Sequence, residues 1–283
     1  MESEFFKRLV VGLISACITL GAIYFAYAPF GIVGTSVLII LIGALATLEF
    51  AGIAQKKDLE LSRKALVTAS TCYLIASLVA AFLIELYFLP TIVFAAALLY
   101  FFYRHRNPSH EPLNHISASA FSLIYVALPL SFALQLLYSP YVIEDGRLWI
   151  FYLVSVVKFS DITAYFIGKS IGKHPLSIIS PKKTKEGLAG AIVGGFALSI
   201  AYCILARSMH LPINLDMFTA VILGLILPIL GQLGDLSESL FKRDAGMKDS
   251  AHLPGVGGIL DMIDSLIFTT PLLYFYIKFT HSL

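Results

Sequence analysis

Charge is what this sequence lacks. Only 13% of its 283 residues are Asp, Glu, Lys or Arg, against about 25% in an ordinary soluble domain. A soluble fold of this length needs more polar surface than that, which excludes a water-soluble enzyme. The net charge of +2, with no basic tail or arm, excludes nucleic acid as a partner. Cys17, Cys72 and Cys203 each lie in an apolar run without CxxC spacing; they read as inert packing residues, not a redox pair. No low-complexity tract, internal repeat or soluble domain interrupts the apolar runs. The first of these, from Leu9, has no clear small-residue cleavage site and is expected to be a retained span.

What is present is a series of runs long enough to cross about 30 Å of hydrocarbon, which takes about 20 apolar residues. They fall near 9–28, 31–53, 65–88, 90–103, 116–138, 148–168, 187–206, 217–234 and 258–280. The chain is therefore expected to be an all-α integral membrane protein, a polytopic bundle of about nine transmembrane helices with a cytoplasmic N-terminus. The third and fourth runs, divided by Pro90, could instead form one bent element. Basic residues test the topology. With the N-terminus inside, every Lys and Arg except Arg147, Arg207, Lys278 and the intramembrane Lys158 falls on the cytoplasmic side, as the positive-inside rule requires.

Two regions differ in kind. Residues 1–147 read as scaffold helices joined by short, ordinary loops. Residues 148–283 read as a catalytic region with two long cytoplasmic loops, 169–186 and 235–257, dense in charge, Gly and Pro. Function concentrates in such loops.

Within "VVKFSDITAYF", Lys158 and Asp161 are three apart, share a helical face and can pair. Ionisable groups inside a span are costly and face a cavity or each other. The "GKS" that follows is not a P-loop, because Thr163 stands where the required glycine would be. In "SPKKTKEG", Lys182, Lys183, Thr184, Lys185 and Glu186 surround a helix start. Such lysines either cradle phosphate or anchor the loop to anionic headgroups. Gly190 and Gly194 form a GxxxG step suited to close helix packing. Glu238 and Lys242, at i and i+4, read as a surface salt bridge. His105, His110 and His115, five apart, read as solvated loop residues.

The densest stretch is 231–265. Asp235 closes the eighth run, and Asp261 and Asp264 open the ninth on the same side, with Lys242, Arg243 and Lys248 between them. Hard divalent cations take oxygen ligands, and Mg²⁺ combines one or two carboxylates with substrate phosphates. Helix capping accounts for one of the two aspartates at 261 and 264 better than for both.

Two blocks resemble the phosphatidate cytidylyltransferases, or CDP-diacylglycerol synthases. "KFSDITAYFIGKSIGKHPLSIISPKKTKEG" is similar to the family's SD-x-x-AY…GKH…SPKKT-x-EG stretch. Residues 231–265 are similar to its QLGD…ES-x-x-KR-x-x-x-x-KDS…PGHGG-x-LDR-x-DS signature. The likeness covers about residues 158–265; residues 1–150 match only in hydropathy. Val256 replaces the family's His, Met262 replaces its Arg, and the loop before "PGVGG" is one residue shorter. A mechanism that needs that His or Arg cannot run unchanged here, unless a neighbour such as His252 substitutes.

The resemblance implies transfer of a cytidylyl group from CTP to phosphatidate, giving CDP-diacylglycerol and pyrophosphate for phospholipid synthesis. Its implied catalytic residues are Asp235, Asp261, Asp264, Lys242 and Arg243, with the three aspartates holding Mg²⁺, as one ion or two. Lys158, Asp161, Lys182, Lys183, Thr184, Glu186, Lys248 and Asp249 are the implied substrate-binding residues. The expected partners are CTP, phosphatidate and the bilayer, with a homodimer as one arrangement. The expected site is the cytoplasmic face of a bacterial inner membrane. Two rivals stand beside this reading. One is another CTP-dependent lipid enzyme, a polyprenol kinase or an archaeal-lipid cytidylyltransferase. The other is a cation or phosphate transporter, which would place its charges near the bilayer midplane, whereas these cluster at one face.

Overall fold

The computed structural model describes residues 17–107, 111–139, 142, 145–247 and 258–281, and the regular elements among them are helices. Residues 17–25 form α1. It is followed by α2 (Pro29–Gln55), α3 (Arg63–Phe82), a 3₁₀ turn (Ile84–Leu86) and α4 (Leu89–Arg104). Then come α5 (Pro112–Ser122), α6 (Leu128–Tyr138), α7 (Gly146–Ile171), α8 (Lys185–Ser208), α9 (Met217–Asp244), α10 (Ile259–Ile263) and α11 (Leu266–His281). Eight described segments are long and apolar enough to cross a membrane. This is an all-α, multi-pass membrane protein. The first expected span, 9–28, is described only from residue 17. The third and fourth runs are separate helices, broken where Leu83 leaves helical geometry before Pro90.

Two boundaries differ from expectation. The eighth span was expected to end at Asp235, yet α9 continues to Asp244. Leu236, Leu240 and Phe241 keep a helical apolar stripe going through the polar "DLSESLFKRD", so Asp235 sits inside a helix. The ninth span is not continuous: α10 stops at Ile263, a turn covers Asp264 and Ser265, and α11 begins at Leu266.

The chain divides into two compact units, residues 1–141 with 241–263 and residues 142–240 with 264–283. In the first, Leu66, Leu74, Phe101, Leu123 and Leu134 form the buried centre. Phe50, Phe121, Tyr125 and Phe241 pack as an aromatic cluster with centroids 5.2–5.9 Å apart. A π turn over Leu123–Ala127 joins α5 to α6. Pro129 explains it: proline offers no N–H to the carbonyl of Tyr125 and crowds it, and a wider turn relieves both.

His115 was expected in a solvated loop. It lies instead on α5, is buried, accepts the Glu60 N–H at 3.0 Å and stacks on His105 at 5.1 Å. Burial holds the His105 imidazole below its usual range, helped by His115 and Arg104. His110 lies outside the described residues.

In the second unit α7 and α8 pack closely. A side chain at Gly190 or Gly194 would run into Ile167 or Thr163 of α7, so the GxxxG step does serve helix contact. Tyr152 and Ser199 share a hydrogen bond of 2.7 Å, and Ser199 donates to the Ala220 carbonyl at 2.6 Å, linking α7, α8 and α9. Pro228 lies inside the continuous α9, and it packs where Gly195 leaves room. Asp216 accepts the Thr219 N–H at 2.6 Å at the start of α9, and the Thr219 hydroxyl together with that N–H holds its carboxyl below the usual range. Cys203 is buried and donates to the Leu215 carbonyl at 3.2 Å. Cys17 and Cys72 are exposed on their helices.

Candidate active site

The second unit gathers charge around the middle of α7. Lys158 reaches Asp161 one turn on, at 3.8 Å, and donates to the Ser265 hydroxyl at 2.8 Å. The expected pair therefore forms, loosely, and the ammonium has a second anchor. Asp161 accepts from the Gln232 amide at 2.9 Å. On α9, Asp235 meets the Lys183 ammonium at 2.7 Å and lies near the Ser239 hydroxyl at 3.4 Å. Gly234 lets α9 approach the backbone of Asp264 and Ser265 too closely for any side chain. Asp264 is 7% exposed, and its Oδ1 accepts the Ser265 N–H at 2.5 Å. Asp161, Asp235 and Asp264 lie within electrostatic reach of one another, with Lys158 close to both Asp161 and Asp264.

The loop that carries Lys183 is tied down along its length. Thr184 caps α8 by accepting the Gly187 N–H at 3.0 Å. Glu186 accepts the Lys173 and His174 N–H groups at 3.1 and 3.3 Å and meets the His174 Nδ1 at 2.6 Å. Leu176 N–H donates to the Lys183 carbonyl at 2.7 Å, and Lys185 N–H to that of His174 at 2.9 Å. Thr184 and Glu186 thus hold the loop, Lys183 points to Asp235, and Lys182 is exposed.

The remaining predicted residues belong to the first unit. Lys242 is buried and its ammonium meets Asp261 Oδ1. The other oxygen, Oδ2, accepts the Gly258 N–H at 2.8 Å, half of a capping box at the start of α10. The expected placement of Glu238 and Lys242 at the surface is not borne out. Both side chains are buried, and the lysine is drawn to Asp261, because a buried ammonium needs a close carboxylate. Arg243 is exposed and donates to the Met247 carbonyl at 3.1 Å. Lys248, Asp249, His252 and Val256 lie outside the described residues.

Three residues escaped the sequence reading. Glu49, on α2, accepts the Ile259 and Leu260 N–H groups at 2.8 Å each, clamping the start of α10. An acid inside an apolar run is the signal that could have found it. Gln232 and Ser265 stand beside the motif aspartates, but only the folded chain shows that they answer Asp161 and Lys158.

Hard oxygen donors are what Mg²⁺ takes, and Asp161, Asp235 and Asp264 supply them. Among the described residues no three His, Cys, Asp or Glu side chains converge tightly enough to enclose a metal alone. Mg²⁺, which keeps several waters and borrows substrate phosphates, fits such an open donor set.

The sequence profile of the cytidylyltransferase family matches residues 6–280. A phosphatidate cytidylyltransferase of Chlamydia muridarum is 36% identical over 188 residues, covering 64% of this chain and 60% of that protein. One of Bacillus subtilis is 46% identical over 134 residues, 47% of this chain and 48% of its own. An uncharacterised protein of Escherichia coli, YnbB, is 38% identical over 170 residues, 59% and 55% respectively. The chain thus spans about 60% of the length of the chlamydial relative. With nearly its whole length matched by that profile, the chain belongs to the cytidylyltransferase family.

Proposed function

We propose that this protein transfers the cytidylyl group of CTP to phosphatidate at the cytoplasmic face of a bacterial inner membrane. The observation that carries the reading is the cluster of Lys158 and Asp161 on α7, Asp235 on α9, Lys183 on the loop between α7 and α8, and Asp264 in the turn before α11. Family membership and the names of the relatives support it. The sidedness rests on the distribution of Lys and Arg.

A phosphate oxygen of phosphatidate attacks the α-phosphorus of CTP. The bond from that phosphorus to the bridging oxygen breaks, and pyrophosphate leaves with the electron pair. Both reactants are anions, so the protein must neutralise and align them. Asp235 and Asp264 would hold Mg²⁺, which supplies charge neutralisation on the triphosphate. Asp261 carries the same role from its place in the motif. In the resting state each candidate ligand already has an ammonium close by: Lys183 at Asp235, Lys242 at Asp261, Lys158 near Asp264. With Mg²⁺ on Asp235 and Asp264, Lys183 and Lys158 would be free to turn to phosphate oxygens of the substrates. Lys182 and Arg243, both exposed, add attraction for the incoming anions, and Lys248 and Asp249 are assigned to the substrate by the motif alone. Gln232 and Ser265 orient Asp161 and Lys158.

Purified protein given labelled CTP should form labelled CDP-diacylglycerol with phosphatidate and lose the activity on chelation of Mg²⁺. Labelling of a polyprenol or an ether-lipid phosphate in place of phosphatidate would transfer the reading to the other CTP-dependent lipid enzymes. No transfer to any lipid phosphate would end it.

A further inference from the structure

The end of α4 carries a feature that the reaction leaves unused. A cleft of about 240 Å³ opens there, lined by Tyr100, Tyr103, Arg104 and Arg106. Tyr100, Tyr103 and Arg104 are spaced three and four residues apart on the helix, so they share one face. Arg106, just past the helix, lies over the Tyr103 ring with its guanidinium carbon 4.6 Å from the centroid. That stacking occupies the flat face of the guanidinium and leaves its N–H edges for an acceptor. The lining holds two guanidinium groups, two phenols and no carboxylate.

Depth in the membrane decides what the acceptor is. The span Ile84–Arg104 is the least covered by protein of all eight, with 11% of its apolar window buried. Leu99, Phe102 and Ile92 present their side chains outward from it, where acyl chains would lie against them. A helix bathed in lipid that ends in Arg104 places its last turn at the phosphate layer of the bilayer. Phosphate is the anion that a guanidinium fork matches with two parallel hydrogen bonds. Tyrosine hydroxyls one turn apart add donors of suitable length.

We infer that the cleft between Tyr100, Tyr103, Arg104 and Arg106 is a binding site for the phosphate of an anionic phospholipid. It is separate from the reaction proposed above and does not depend on it. The shared chemistry is a phosphate anion, and the lipid is favoured over soluble phosphate because the cleft caps a lipid-exposed span.

The test uses the full chain, delipidated in detergent and titrated with phosphatidylglycerol, phosphatidylcholine or inorganic phosphate, with bound ligand counted by native mass spectrometry. Phosphatidylglycerol should bind more tightly than phosphatidylcholine. Arg106→Lys keeps the charge but loses the fork, and Tyr103→Leu keeps both arginines but loses the stack. Each should weaken phosphatidylglycerol about tenfold and leave phosphatidylcholine unchanged. All four residues stand on the outside of the molecule, so the variants keep their fold, which a melting curve checks. Wild-type binding by both variants would reduce the cleft to ordinary interfacial basic residues and overturn the site. Displacement of the lipid by millimolar inorganic phosphate would reassign the site to free phosphate.

Discussion

Many buried hydroxyls in the helices before residue 139 donate within their own helix, although Thr47 also reaches the Ser70 hydroxyl on α3 at 3.0 Å. Thr47 donates to the Gly43 carbonyl, Ser77 to Tyr73, Ser119 to His115 and Ser122 to Ser119. After residue 145 it is charged and amide side chains that reach across the fold. Gln232 donates to Asp161 over 71 residues of chain, and Lys158 to Ser265 over 107. A hydroxyl answered within one turn costs a span little and commits it to no partner. A charge answered by another helix is stable only when the whole arrangement is built. The first region therefore rests chiefly on packing, while the second also has charge at stake where α7, α9 and the turn before α11 meet.

The largest effect that would break this contrast is expected at Asp264. Asp264→Asn should lower turnover at least about 100-fold, roughly 2.7 kcal/mol of transition-state stabilisation, with little change in melting temperature, because Asn also caps a helix. Near-normal turnover at saturating CTP and Mg²⁺ would make Asp264 a cap and nothing more. Next comes Glu49, the exception in the first region. Glu49→Ala should cost about 2 kcal/mol of stability, seen as a lower midpoint in thermal unfolding in detergent. An unchanged midpoint would mean that α10 is held by other contacts.

Lys183→Ala is expected to raise the KM for CTP about tenfold, or about 1.4 kcal/mol, while membrane association persists because anchoring is shared among many cations. Equal kinetics in mutant and wild type would return the lysine loop to headgroup anchoring. Smallest is Thr184→Ala, a lost helix cap worth about 1 kcal/mol. Limited proteolysis within 172–184 should accelerate in that variant; an unaltered rate would show that Glu186 alone secures the loop.

Hydropathy made the helices legible, since a bilayer imposes one length and one composition on anything that crosses it. It failed at Asp235 and at Asp264 for a common reason. A polar stretch can prolong a helix past the apolar core, and an apolar stretch can hide a turn, as at Asp264 and Ser265. Motif spacing brought Lys158 to Asp161 correctly, because i and i+3 fix that distance locally. It could not show that Lys183 answers Asp235, or that Lys242 answers Asp261. Those pairings depend on which helices become neighbours, and no local spacing records that.

Glu49 has a consequence for how the chain is made. Its two acceptor bonds go to residues about 210 positions downstream. At a synthesis rate of 5–20 residues per second, roughly 10–40 s separate the emergence of α2 from that of α10. Throughout that interval the carboxyl group travels in an apolar helix before its final donors exist, and it must find water or headgroups at the membrane edge. Helix α2 is thus expected to ride high in the bilayer during synthesis and to settle only when α10 emerges. Nascent chains stalled before residue 259 should leave a cysteine placed near Glu49 open to water-soluble thiol reagents, and chains released after 263 should close it off.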